Sequence, residues 1–127
     1  MNPVFFVDRS LGRHVVADAL RAVGARVEVH DDHFPQDAAD EVWLPEVGQR
    51  DWAVLTKDDR IRYRQAETTA AASAGVALFI FVGKGMRGTA IADALVTALP
   101  AMTEMLATQR RPFVAKVSRA GAVALLP

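Results

Sequence analysis

Continuous apolar runs and helix-period stripes alternate along most of this chain, a pattern that predicts a parallel α/β sheet. Val4-Phe5-Phe6-Val7 is a short, unbroken apolar run of the kind expected of a strand buried on both faces. Ser10 stands where an N-cap belongs, ahead of a helix over Leu11–Val23. In that helix Leu11, Val15, Ala19, Leu20 and Val23 share one stripe, and Gly24 is the stop. Arg26-Val27-Glu28-Val29-His30 alternates as a second strand, and Asp31 to Asp37, with Pro35, reads as a loop. A second helix starts at Asp37 or Ala38 and runs through Val47, with Pro45 expected to bend it or end its regular part. Trp52-Ala53-Val54-Leu55-Thr56 is the third strand. Asp58 to Arg64 is too polar for a core element, and Gln65 to Ala74 is Ala-rich and helical, closed by Gly75.

The longest apolar run, Val76 to Val82, is the best candidate for a fully buried strand. After the connection at Gly83, Gly85 and Gly88, Thr89 can cap a long helix through Thr108. Its Ile91, Leu95, Leu99, Met102 and Leu106 fall at helical spacing, and Pro100 is expected to kink it. Phe113–Val117 and Ala122–Leu126, separated by Ser-Arg-Ala-Gly, read as a hairpin at the sheet edge. With right-handed crossovers these elements predict a three-layer α/β/α sandwich around a central, mostly parallel sheet, plus a C-terminal β-hairpin. Neither an internal repeat nor a linker divides it, so a single domain over residues 1–127 is expected.

Composition narrows the function classes. A chain of 127 residues that is 51% hydrophobic and 24% charged can bury one real core. Its 15 basic and 15 acidic residues cancel, so a polyanionic partner would have to be recognised by local clustering rather than by a global field. The absence of cysteine excludes disulfides, zinc–thiolate sites and thiol catalysis. The amino terminus lacks the basic flank of a signal peptide, and no run approaches the roughly 20 apolar residues of a membrane span. A soluble cytoplasmic protein without a membrane partner is the expectation.

The candidate chemistry lies where apolar runs stop. Leu55-Thr56-Lys57-Asp58-Asp59-Arg60 ends a strand in two carboxylates flanked by cations, and Val4 to Val7 ends in Asp8. Acids at the carboxyl ends of parallel strands sit where α/β proteins build their sites. A helix starting at the same edge adds Asp37, Asp40 or Glu41. Three or four carboxylates held together raise one another's pKa unless a counter-charge is present, and a divalent cation supplies it. Oxygen ligands without cysteine favour Mg²⁺ or Mn²⁺, ions that bind phosphate, and phosphodiester hydrolysis is the matching reaction.

Each of these residues also has an ordinary role. A lone Asp after a strand is commonly a helix cap or a solvated loop residue; for Asp8 the companion acids at another strand end weigh against that. Adjacent side chains in extended backbone point opposite ways, so Asp58 is the stronger ligand candidate and Asp59 the weaker. Lys57, Arg60, Arg62 and Arg64 form either a phosphate-contacting rim or a solvated charge run. His30-Asp31-Asp32-His33 reads as a polar loop rather than a transition-metal site. Gly83-Lys84-Gly85-Met86-Arg87-Gly88 lacks the Walker spacing and its terminal Lys-Ser/Thr. Trp43 and Trp52 read as core or interface anchors.

Taken together, Phe5-Phe6-Val7-Asp8-Arg9-Ser10-Leu11, Asp40-Glu41-Val42-Trp43-Leu44, Leu55-Thr56-Lys57-Asp58-Asp59-Arg60-Ile61-Arg62 and the downstream Glu67 resemble a compact branch of PIN-like domains. Within it the chain resembles VapC-type toxins of toxin–antitoxin pairs, over nearly its whole length. The resemblance implies a PIN fold and a metal-dependent endoribonuclease, with Asp8, Asp40 and Asp58 catalytic and metal-binding, and Glu41 and Asp59 as additional acids. It also implies an RNA substrate, an antitoxin protein as partner and Mg²⁺ or Mn²⁺ as cofactor. Lys57, Arg60 and Arg62 are the expected substrate phosphate contacts, and the neutral net charge suggests that a dimer or higher assembly gathers basic residues into an RNA groove. The chain departs from the family pattern after the fourth strand, where Val82 leads into Gly83-Lys84-Gly85 rather than an acid. Two other readings follow: a degenerate PIN-like module that binds RNA or protein without cutting, and a different strand-end Asp enzyme. For the latter, Asp8-Arg9-Ser10 lacks the second acid of a phosphatase pair, and a receiver domain's acid pair is missing.

Overall fold

Side-chain parity in three short strands sets up the fold. In a computed structural model, which describes residues 3–58 and 75–126 apart from the side chain of Asp40, β1 (Val4–Val7), β3 (Ala53–Thr56) and β4 (Ala77–Val82) lie side by side. Successive residues in a strand face opposite ways. Phe5, Val7, Ala53, Leu55, Ala77, Phe79 and Phe81 therefore enter one core, whereas Phe6, Val54, Leu78 and Ile80 enter another. Helix α1 (Val15–Ala22) and helix α3 (Gly88–Thr108) cover the first face, and α2 (Asp40–Gln49) covers the second through Trp43, Leu44 and Val47. The result is the expected three-layer α/β/α sandwich.

The sheet has six strands in the order β2-β1-β3-β4-β5-β6, with β2 at Arg26–Val29, β5 at Phe113–Ser118 and β6 at Val123–Leu125. All neighbours are parallel except the β5–β6 hairpin. The chain leaves β1 for the edge strand β2 and then returns across β1 to β3, so the strand order reverses between β1 and β3. Such a switch point opens a crevice at the carboxyl ends of the two strands. Val7 pairs with Leu55 there, which places Asp8 and the residues after Thr56 at its rim.

Several expectations change in detail. Ser10 does not cap a helix: Arg9–Leu11 is a single 3₁₀ turn, and α1 begins only at Val15. Gly12, at φ +82°, takes a left-handed backbone that ends the turn, while the Ser10 hydroxyl is engaged elsewhere. The buried stripe of α1 is Val16, Ala17 and Leu20, rotated from the predicted one, and Val15 and Val23 are exposed. Thr89 is not the cap of α3, whose N-cap position is Arg87.

The two helix prolines do not stop their helices, since α2 continues through Pro45 to Gln49 and α3 through Pro100 to Thr108. In α2, burying Trp43, Leu44 and Val47 completely offsets the loss. Each large apolar side chain contributes about 1.5–3 kcal/mol, against about 3 kcal/mol for an internal proline. Helix α3 is long and apolar enough by length and composition to cross a membrane, with a mean hydropathy of 1.4 over its best window, contrary to the expectation that no run approaches that size. Its Ile91, Leu95, Ala98 and Met102 pack into the first core, and about a third of that window is buried. The predicted loop and helix between Asp59 and Ala74 lie outside the described residues.

Candidate functional site

Parity carried one residue past β1 and to the end of β3 points Asp8 and Thr56 toward the α2 side of the sheet. They meet: the Thr56 hydroxyl donates to Asp8 Oδ2 at 2.7 Å, and the Ser10 hydroxyl donates to the same oxygen at 2.8 Å. Behind them, the backbone N–H of Asp58 donates to Thr56 Oγ1 and that of Lys57 to Ser10 Oγ, each at 3.1 Å. Asp8 N–H in turn donates to the Leu55 carbonyl at 2.9 Å, extending the β1–β3 ladder one step. Two hydroxyls thus relay two backbone amides of the β3 exit to one carboxylate oxygen. Asp8 is 5% exposed and Thr56 fully buried, so this polarity is satisfied out of water.

Asp8 Oδ1 takes no hydrogen bond among the described residues. A nearly buried carboxylate with one oxygen fixed and the other without a hydrogen bond among the described residues suits a divalent cation, whose ligands are oriented by their remaining hydrogen bonds. The donor set at the edge, all oxygen, suits Mg²⁺ or Mn²⁺. Asp58 follows β3 at the same rim, with its backbone tied to the Asp8 network through Thr56. Among the described residues no three acidic or histidine side chains already stand together as a metal cage. The expected trio includes Asp40, which is placed here only as the first residue of α2.

The start of α2 is held at this edge by Arg9, next to Asp8. Its Nη1 donates to the carbonyls of Ala38 at 2.6 Å and Gln36 at 3.0 Å, in the segment that leads into the helix. Since α2 must run back toward the amino edge to reach β3, its first turn, with Asp40 and an exposed Glu41, lies on the carboxyl side. Asp8, Asp58 and the segment bearing Asp40 are therefore brought to one rim, whereas Asp59, Arg60 and Arg62 lie outside the described residues.

The Asp31–Gln36 loop has its own polar anchor. The Gln36 amide donates to both Asp31 oxygens, at 3.2 and 3.1 Å, and holds that carboxyl below its ordinary value of 3.8; burial opposes the shift, while His30 and Arg13 assist it. His30 is not a loop residue in the ordinary sense. Its fully buried ring packs against Phe6, Phe34 and Trp43, and Nε2 lies 3.5 Å from Arg9 Nη1. His33 pairs instead with Glu28 at 2.8 Å, so the two histidines of that cluster serve different partners. Trp43 is a core anchor, as expected.

The sequence marks Ser10 only as a helix N-cap and gives Thr56 and Arg9 no role of their own. A signal existed for the first two: hydroxyls at strand exits that each adjoin an acid can face one another across parallel neighbours. Arg9 carried no such mark, because its acceptors are backbone carbonyls distant in sequence.

Residues 3–83 match the model of a family described as a PIN like domain. No curated protein and no solved structure matches the chain. The matched stretch contains β1 to β4, the Asp8 network and the whole switch point, and it ends at Gly83, leaving α3 and the hairpin outside. With more than half of its length and its entire candidate site under that model, this chain belongs to the PIN-like domain family, whose members are typically nucleases.

Proposed function

We propose that this protein is a divalent-metal-dependent endoribonuclease that hydrolyses RNA phosphodiesters in the cytoplasm, as the toxin of a toxin–antitoxin pair. The observation that carries the reading is Asp8 at the switch point, with Oδ2 fixed by Ser10 and Thr56 and no hydrogen bond to Oδ1 among the described residues. Asp8, Asp58 and Asp40 would hold Mg²⁺ or Mn²⁺, with Glu41 and Asp59 as additional acids. Bound there, the ion would neutralise phosphate charge and lower the pKa of an attacking water.

The chain's own residues do the rest. Ser10 and Thr56 orient the Asp8 carboxylate, and Arg9 keeps the start of α2 against the crevice. Lys57, with Arg60 and Arg62, offsets phosphate charge at the rim. No side chain needs to form a covalent intermediate. An antitoxin protein would silence the toxin, and assembly into a dimer or larger oligomer would gather basic residues that a neutral monomer spreads out.

One observation favours a second reading, an RNA- or protein-binding module that does not cut: β4 exits into Gly83-Lys84-Gly85 without an acid. Incubation of the purified protein with structured and unstructured RNAs separates the two. Cleavage in Mg²⁺ or Mn²⁺, lost in chelator and restored by added metal, is the expected result. Binding without turnover at any divalent-ion concentration would establish the non-cutting module.

A further inference from the structure

Parity also separates a second region from the first. Thr56 faces Asp8, whereas Lys57, one residue on, lines a pocket of about 590 Å³ at the carboxyl ends of β4 and β5. It is lined by the cationic Lys57, Lys84 and Arg119 and the apolar Phe81, Met86 and Ile91, and among the described residues no acidic side chain lines it. In a chain of zero net charge, three exposed cations around one pocket form a local one-sign cluster that attracts anions.

The pocket is built from parts distant in sequence. Arg119, in the β5–β6 turn, donates through Nη2 to the Lys84 carbonyl and so ties the hairpin to the glycine-rich loop. Gly83 makes the junction possible. A Cβ there would stand 2.8 Å from both Met86 Sδ and Phe81 Cε2, and 3.1 Å from Arg119 Cγ. Lys84 and Arg119 also lie beyond the residues matched to the family model.

We infer that this pocket is a phosphate-binding subsite for single-stranded RNA, holding a backbone phosphate beside the scissile one over the cations of Lys57, Lys84 and Arg119. The inference rests on the proposed function for its choice of RNA as the polyanion. Strands β1 and β4 are two positions apart in the sheet, about 10 Å at the ordinary strand spacing. A short RNA segment can therefore reach both the Asp8 crevice and the pocket. Cations supply affinity and register without reading bases, so the subsite positions the chain rather than choosing its sequence. The apolar lining offers a face for an adjacent base.

The test separates binding from cutting. A fluorescent, cleavage-resistant 2′-O-methyl oligonucleotide is titrated in chelator across a salt series with the wild-type chain, Lys84→Ala, Lys84→Gln and the Lys84→Ala/Arg119→Ala double variant. Loss of each phosphate contact is expected to reduce the slope of log K against log salt by about 0.7, and by about 1.4 in the double variant. Lys84→Arg should restore the wild-type slope, which a purely structural role would not require. Equal slopes in all variants, or a wild-type chain that does not bind RNA, would overturn the subsite. Loss of binding to an acidic peptide with unchanged RNA binding would reassign the pocket to a protein partner. If the salt slopes shift as expected but no RNA is ever cut, the subsite stands and the nuclease reading falls. If RNA is cut in metal while the slopes stay equal, the reverse holds.

Discussion

The carboxyl edge of the sheet has two halves that handle charge in opposite ways. Around β1 and β3 a single carboxylate is nearly buried and its Oδ2 is held by two hydroxyls, each backed by a backbone amide. Around β4 and β5 the charged groups are cations on a loop and a turn, spread around an open pocket. The step from Thr56 to Lys57 divides them, because adjacent residues of a strand exit face opposite sides. Chemistry at a reacting phosphate needs groups fixed within a fraction of an ångström. Holding a flexible polyanion needs only charge within reach. The buried half is thus suited to cutting and the exposed half to gripping.

Asp8→Asn breaks the comparison most sharply. It preserves size and can keep accepting from Ser10 and Thr56, but it removes the charge that a cation would meet. Cleavage should fall more than about 1000-fold, while oligonucleotide binding in chelator persists. An RNA-cutting Asp8→Asn protein would place the reaction elsewhere. Next comes Thr56→Val, an isostere without the hydroxyl, which costs Asp8 one donor and leaves the Asp58 N–H without its acceptor. Activity should drop about 10–100-fold, as for other groups that orient a metal ligand. A steady-state comparison with the wild type would detect it, and an unchanged rate would reduce Thr56 to packing.

Arg9→Ala sharpens the account at the α2 end. The guanidinium's two carbonyl partners lie just before the helix, and losing a charged donor of this kind costs about 1.5–3 kcal/mol. Denaturant unfolding should show that loss, with faster hydrogen exchange concentrated in residues 36–44. Exchange spread evenly over the chain would deny Arg9 a local role. The smallest effect belongs to Asp31→Asn. Because the folded carboxyl titrates below its ordinary 3.8, its contribution to stability is complete above that pH and is lost as pH falls through the lowered value. The difference between wild type and variant should be constant near neutrality and close below about pH 4. A gap that widened in acid would reverse the sign.

The layers were legible because burial on two faces leaves unbroken apolar runs such as Val76 to Val82, and with the alternating segment at Arg26–Val29 and the hairpin, six strands followed, though not their order. Helix starts were harder to read. Ser10 has the chemistry of a cap, yet its hydroxyl is drawn to a carboxylate two residues back and to the Lys57 amide just past β3, a contact 47 residues away that no local pattern encodes. That α2 continues past Pro45 is likewise not readable locally, since complete burial of Trp43, Leu44 and Val47 is a tertiary effect. In the site, the acids announced themselves at strand ends, whereas Thr56 and Arg9 act through partners 48 and 29 residues away. Lys84 and Arg119 meet only once the hairpin folds back beside β4.

The central claim is that the Asp8 crevice is a metal centre. Crystals soaked in Mn²⁺ and measured at the manganese absorption edge test it most directly. The account predicts an anomalous peak against Asp8 Oδ1, shared with Asp58 and Asp40 and lost in Asp8→Asn crystals. An empty crevice at saturating Mn²⁺ would contradict it.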